Sequence, residues 1–186
     1  MGTDPGSDPL EALRALLLSD SMPVVAGQEG LNFQAHKLLT TLIHRAAGLH
    51  AHHKPSDTEG WTRYIVDFFP PGQNGAEDAR LLFKDWRCTL LKDGSVGPGV
   101  AILHGQSWSH WRRSDGVLMI NLESMWADYE YSVERFIEFL RVTPERSALA
   151  LQRHAGNATQ TRVLAFVGPD GPTGASATVR GEPGAE

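Results

Sequence analysis

Trp61-Thr62-Arg63-Tyr64-Ile65-Val66-Asp67-Phe68-Phe69 is the stretch on which the fold turns. It is rich in β-branched and aromatic residues, the types that fit a pleated, half-buried surface. Tyr64, Val66 and Phe68 fall on one face at period two; Arg63, Ile65 and Asp67 fall on the other. The alternation predicts a strand, stopped by Pro70-Pro71-Gly72. A carboxylate amid apolar neighbours is costly unless paired or at an edge. An Arg63–Asp67 pair on a solvent-facing strand is the simplest way to meet that cost.

Four more strands are expected downstream. Val100–His104 is short and apolar. Ser107–Arg112 and Val117–Leu122 flank Ser114-Asp115-Gly116, a turn signal that makes residues 107–122 a hairpin. Gly105-Gln106, taken as a two-residue turn, sets His104 opposite Ser107 and His110 opposite Ala101. The two imidazoles then lie on opposite faces of the sheet. Arg162–Val167 reads as a last strand.

The remaining periodic segments are helical. Asp8 as N-cap and Pro9 in the first turn open a helix with Leu10, Leu13, Leu17 and Leu18 on its apolar face. Leu31, Ala35, Leu38, Leu39, Leu42, Ile43 and Ala46 repeat at helical spacing, with Asn32 as a cap and Gly48 as a stop. Residues 49–60 are polar and His-rich and read as a loop. Ala79, Leu82, Phe83, Trp86 and Leu90 stripe a helix over Ala76–Lys92, closed by Gly94. Ser124 opens a long helix striped by Trp126, Tyr129, Val133, Phe136, Ile137 and Leu140. Thr143-Pro144 opens another, ending near Gly156. The resulting expectation is an α+β fold: a mostly antiparallel sheet of four to five strands on four to five helices. One globular domain over residues 9–167 lies between a disordered start, 1–8, and a disordered tail, 168–186.

Composition narrows the function classes. The chain has 186 residues, 41% hydrophobic and 21% charged, with 17 basic and 22 acidic side chains and a net charge of -5. No run approaches the roughly 18 apolar residues needed to span a bilayer. Arg112-Arg113 is the densest basic spot, too small for a nucleic-acid footprint, so nucleic acid is not the expected partner. Cys88 is the only cysteine. No internal disulfide can form, and a reducing, cytoplasmic setting is the simpler reading.

No P-loop, dinucleotide fingerprint, nucleophile elbow or zinc-protease helix is present. Four constellations remain. His44, His50, His52 and His53 carry imidazoles suited to a divalent metal, with His50, His52 and His53 the expected ligands, although their loop lacks fixed geometry. No other cofactor is signalled. Residues 104–111 pack His104, His110, Trp108 and Trp111 together; the histidines suit acid–base work and the indoles suit pocket walls. Asn121 and Glu123 stand where a strand hands over to a helix, a common ligand position. Asp67 completes a catalytic set with His104 and His110. A fifth feature, Glu130, Glu134 and Glu138 four apart along the long helix, is a solvated acidic face or a surface for a basic partner.

No catalytic set here has a fixed geometry. The reading is therefore a small cytoplasmic binding or accessory module with a protein or small-molecule partner. The alternative is a hydrolase-like or metal-assisted enzyme built on the His104–His110 segment.

Overall fold

The computed structural model describes residues 8–18, 32–51, 58–72, 75–103 and 112–164. The chain forms two units, Met1–His154 and Ala155–Glu186. The helices are α1 (Pro9–Leu17), α2 (Asn32–His50), α3 (Thr58–Phe68), α4 (Ala76–Leu81), α5 (Thr89–Asp93), α6 (Leu122–Val142) and α7 (Pro144–Leu164). A π-helical stretch, Leu82–Cys88, joins α4 to α5. The strands are β1 (Val100–Leu103), β2 (Arg112–Ser114) and β3 (Val117–Asn121).

The expected α+β fold with four to five mostly antiparallel strands is overturned: the protein is mostly helical. Its described sheet has three strands in the order β1-β3-β2. β1 runs parallel to β3 with Val100 opposite Leu118, and β2 runs antiparallel to β3 with Ser114 opposite Val117. β1 and β2 are thus opposite edges, and the expected pairing of His104 with Ser107 lies outside the described residues. The turn at residues 114–117 is as expected: Asp115 has φ 51° and Gly116 φ 80°, two positive angles as a two-residue hairpin turn requires.

The principal correction is α3. Trp61, Tyr64, Ile65 and Phe68 are buried, the i, i+3, i+4, i+7 spacing of a helical stripe, while Arg63 and Asp67 are exposed one turn apart. The sheet has no place for this segment, and packing against α2 and α6 overrides its strand propensity. α2 also runs past Gly48 to His50. Its end is held by Arg153 of α7, whose Nη1 donates to the Gly48 carbonyl at 3.1 Å and to that of Ala51. Cation capping of the last carbonyls here replaces the expected glycine stop. α7 continues beyond Gly156 to Leu164, so Arg162–Leu164 is helix rather than strand.

Other expectations hold. Asp8 accepts from the Leu10 amide at 2.9 Å, with Pro9 in the first turn. The rod Ala76–Asp93 ends at Gly94, whose φ of 71° only glycine adopts easily. Within its π-helical interior the Asp85 carbonyl accepts from the Gly97 amide and the Thr89 hydroxyl, while the Asp85 carboxylate accepts from the Gly99 amide at 3.1 Å. The return loop to β1 is thereby tied to the rod. α6 begins at Leu122, with Asn121 rather than Ser124 in the N-cap position.

Trp61, Trp86, Tyr64, Tyr129 and Phe136 are fully buried and make the aromatic centre of the core. α1 closes one side with Leu10, Leu13 and Leu17. Arg14 of α1 grips Glu134 of α6 with two oxygens, Nε lying 2.8 and 2.9 Å from them, and Arg141 of α6 reaches Glu11. On the acidic face, read as solvated or as a surface for a basic partner, Glu134 is therefore paired with Arg14 of the same chain. Arg14 holds the Glu134 carboxyl below its usual range.

Candidate functional site

The two residues that sequence analysis set in different sites, His50 and Asp67, meet. His50 is the last residue of α2 and Asp67 lies in the last turn of α3. Once both segments are helices packed side by side, His50 Nε2 comes within 3.1 Å of Asp67 Oδ2. The imidazole is buried; the carboxylate is 43% exposed. Around the ring stand Phe68 at 4.9 Å, Phe136 at 5.9 Å, Phe139 at 6.0 Å and Tyr64 at 6.3 Å between centroids. The three phenylalanines meet it edge to face, the arrangement aromatic quadrupoles prefer.

A cavity of about 440 Å³ opens beside this pair. Phe68, Phe139 and Val142 give it apolar walls, and Asp67, Arg135 and Glu138 give it charge. Arg135 and Glu138 are exposed, three residues apart on α6, and neither makes a hydrogen bond or ion pair among the described residues. Asp67 also borders a second hollow of about 340 Å³ with Arg63, Val66 and Arg80. The Arg63–Asp67 pair expected from the sequence is not formed; Asp67 turns to His50 instead.

A histidine held by a carboxylate is the supporting half of many acid–base sites, in which the second ring nitrogen faces the reactant. Here Nε2 is engaged by Asp67 and Nδ1 is buried. The ring offers no nitrogen to a molecule in the cavity, and no serine, threonine or cysteine lines it among the described residues. The arrangement fixes the ends of two helices and fills one wall of a cavity.

The other candidates are spread out. His104, Trp108, His110 and Trp111 lie outside the described residues, as do His52 and His53 of the expected metal set. His50 is committed to Asp67. Among the described residues no three His, Cys, Asp or Glu side chains converge as a metal site. Asn121 is buried and donates from Nδ2 to the Ser124 hydroxyl at 2.9 Å; Glu123 is exposed in the first turn of α6. Both lie roughly 18 Å of helix from Arg135 and do not join the cavity. Cys88 is half-buried, with Arg87 Nη1 3.6 Å from its sulfur. Sequence reasoning missed Arg135, Phe139 and Val142. Their spacing carries no signal of a site; the structure shows it in Val142, an apolar residue in the last turn of α6 that is 76% exposed.

His44, the remaining member of the histidine cluster, sits elsewhere on α2. Arg87 Nη2 lies 3.0 Å from its Nε2. Burial, helped by that guanidinium, pulls its pKa down to about 4. It is a neutral acceptor at physiological pH.

No helix among the described residues is long and apolar enough to cross a membrane. The sequence matches no family model, and no curated protein or solved structure is significantly similar to it.

Proposed function

We propose that the protein is a non-catalytic binding module that seats a small amphoteric molecule with an apolar body in the cavity beside Asp67. The observation that carries this reading is the state of Arg135 and Glu138. Two opposite charges stand on one rim, over apolar walls, and neither is used within the described structure. A guanidinium matches a carboxylate in fork geometry. Glu138, with the oxygen of Asp67 not engaged by His50, suits an ammonium group. Phe68, Phe139 and Val142 suit a hydrocarbon or aromatic body. The cavity volume falls in the range of about 300–1,000 Å³ that small-molecule sites occupy. A reducing, cytoplasmic setting remains part of the reading, on the ground of the single Cys88.

The test is an amide-shift titration of the labelled protein with phenylalanine, with N-acetyl-phenylalanine amide as the uncharged control. Phenylalanine should give saturable shifts at Phe68, Phe139 and Val142, and the control none. Arg135→Ala and Glu138→Ala should each weaken binding about tenfold or more, the worth of one charge-assisted hydrogen bond. Equal shifts from the uncharged control, or none from millimolar phenylalanine, leucine and arginine alike, sink the reading.

A further inference from the structure

Two fully buried tryptophans each pack against a histidine of α2, and the contrast between them is informative. Trp86 meets His36 edge to face at 5.8 Å, and its indole Nε1–H donates to His36 Nδ1 at 3.2 Å. The Trp86 indole N–H is thus satisfied. Trp61 meets His44 at 6.4 Å with the rings tilted by 42°, and its indole nitrogen, buried, has no hydrogen-bond partner among the described residues.

The surroundings of Trp61 hold two more groups in the same state. His44 accepts from Arg87 through Nε2, so its proton sits on Nδ1, and this N–H is buried without a partner among the described residues. Its depressed pKa keeps it in that form. Arg87 spends Nη2 on His44 and Nη1 on the Cys88 sulfur, a weak acceptor, and its Nε–H is buried without a partner among the described residues. Among the described residues no carboxylate pairs with Arg87. Phe83 ties the group together: Arg87 lies over its ring at 5.1 Å and Trp61 meets it edge to face at 5.8 Å. The π-helical stretch carries both Phe83 and Arg87; such stretches occur often at functional sites.

Each unpartnered atom is thus a donor, the three belong to one cluster of touching side chains, and the only formal charge there is positive. Native proteins leave few buried donors unpaired, and a cluster of three asks for an acceptor. Water supplies protons as well as lone pairs; a small oxyanion supplies lone pairs alone and also meets the guanidinium charge. His44 and Arg87 are half-buried as residues, while the three donor atoms themselves are buried.

We propose that His44, Trp61 and Arg87 form a binding site for one small oxyanion, a carboxylate or a phosphate group, separate from the cavity at Asp67.

The experiment follows the Trp61 indole and Arg87 Nε–H resonances of the full chain during titration with phosphate and with acetate, against chloride at constant ionic strength. The expected result is a saturable downfield movement of both with at least one oxyanion. The Trp86 indole, already bonded to His36, should not move. The phosphate and acetate arms tell which group the site prefers. Arg87→Lys keeps the charge and removes the Nε–H, and should weaken binding about tenfold. Should that variant not fold, the wild-type titration decides alone. Three outcomes overturn the proposal. One is an equal response to chloride. Another is full affinity in Arg87→Lys. The third is no response to either oxyanion together with a water cross-peak on the Trp61 indole, which makes water the occupant.

Discussion

His50 Nε2 lies 3.1 Å from Asp67 Oδ2, joining the last residue of α2 to the last turn of α3 across 17 positions of sequence. The two ends of this bond are unequal. His50 is buried among aromatic rings, whereas Asp67 keeps solvent on one side. Removing the exposed partner orphans a buried nitrogen; removing the buried one releases a carboxylate that water can solvate. Asp67→Ala should cost about 1 kcal/mol, and Asp67→Asn, which keeps an acceptor, clearly less. His50→Ala should cost about 2–4 kcal/mol through the emptied aromatic box. His50→Phe should stay within about 1 kcal/mol of wild type. Urea denaturation of the four variants checks the order. A His50→Phe loss as large as that of His50→Ala would show that the bond, not the ring, holds this corner.

Tyr64, Ser132 and Tyr129 form a directional chain. Ser132 has one proton and spends it on the Tyr129 carbonyl at 2.7 Å, so the Tyr64 hydroxyl must donate to Ser132 Oγ at 3.1 Å. Burial pushes the Tyr64 phenol well above its ordinary pKa, so it remains a donor. Tyr64→Phe removes a donor whose acceptor has other work, and should cost about 0.5–1 kcal/mol. Ser132→Ala strands the Tyr64 hydroxyl in the core and should cost about 1–3 kcal/mol. The check is the ranking by chemical denaturation; a costlier Tyr64→Phe would reverse the assigned direction of the bond.

The sequence made some of this fold legible and hid the rest for identifiable reasons. α1 and α6 carry long apolar stripes with a cap or a strand boundary at one end, and nothing competes with the helical reading. Residues 61–69 satisfy two periods at once: Tyr64, Val66 and Phe68 suit a strand, and Trp61, Tyr64, Ile65 and Phe68 suit a helix. β-propensity tipped the balance, yet Arg63 and Asp67, four apart and both exposed, were the helical sign. The parallel pairing of β1 with β3 is a contact between segments that are not neighbours, and no local pattern encodes it. His50 and Asp67 were both singled out, but as a loop ligand and a strand acid. Their meeting requires two segments to be helices that the sequence presents as loop and strand. Arg135 and Phe139 were hidden because they flank Phe136 on a helix whose stripe reads as core.

The loop from α5 to β1 is fitted closely around Asp85. A Cβ on Gly97 would stand 2.8 Å from the Asp85 Cβ and 3.0 Å from its Cα, atoms that cannot swing away. On Gly99 it would meet Asp85 Oδ2 at 2.7 Å and a Leu81 methyl at 2.8 Å, both at the ends of side chains. Gly97→Ala should therefore cost about 2–3 kcal/mol and Gly99→Ala about 1–2. An Asp85→Ala background, which keeps Cβ and Cα but removes Cγ and the carboxylate, should relieve the Gly99 substitution more than the Gly97 one, which a double-mutant cycle measures. Equal relief of both would mean that the backbone contact at Gly97 is not the source of strain.

His44 sets an acid limit on stability. In the unfolded chain its pKa is near the ordinary value of about 6.5; in the folded protein, burial and Arg87 lower it to about 4. Between those values the unfolded state binds the extra proton and the folded state does not, so stability rises with pH across the window. The contribution is fully present above pH 6.5 and is lost as pH falls towards 4. The shift corresponds to about 3 kcal/mol if unscreened, at 1.36 kcal/mol per unit. His44 is only half-buried, so screening reduces the expected loss to about 1–2 kcal/mol. His44→Gln keeps an acceptor for Arg87 and cannot titrate, so its stability should change less than that of wild type between pH 7 and 4.5. Paired denaturation curves at those two values measure the difference. Parallel losses in the two proteins would move the acid sensitivity away from His44 and onto the carboxylates.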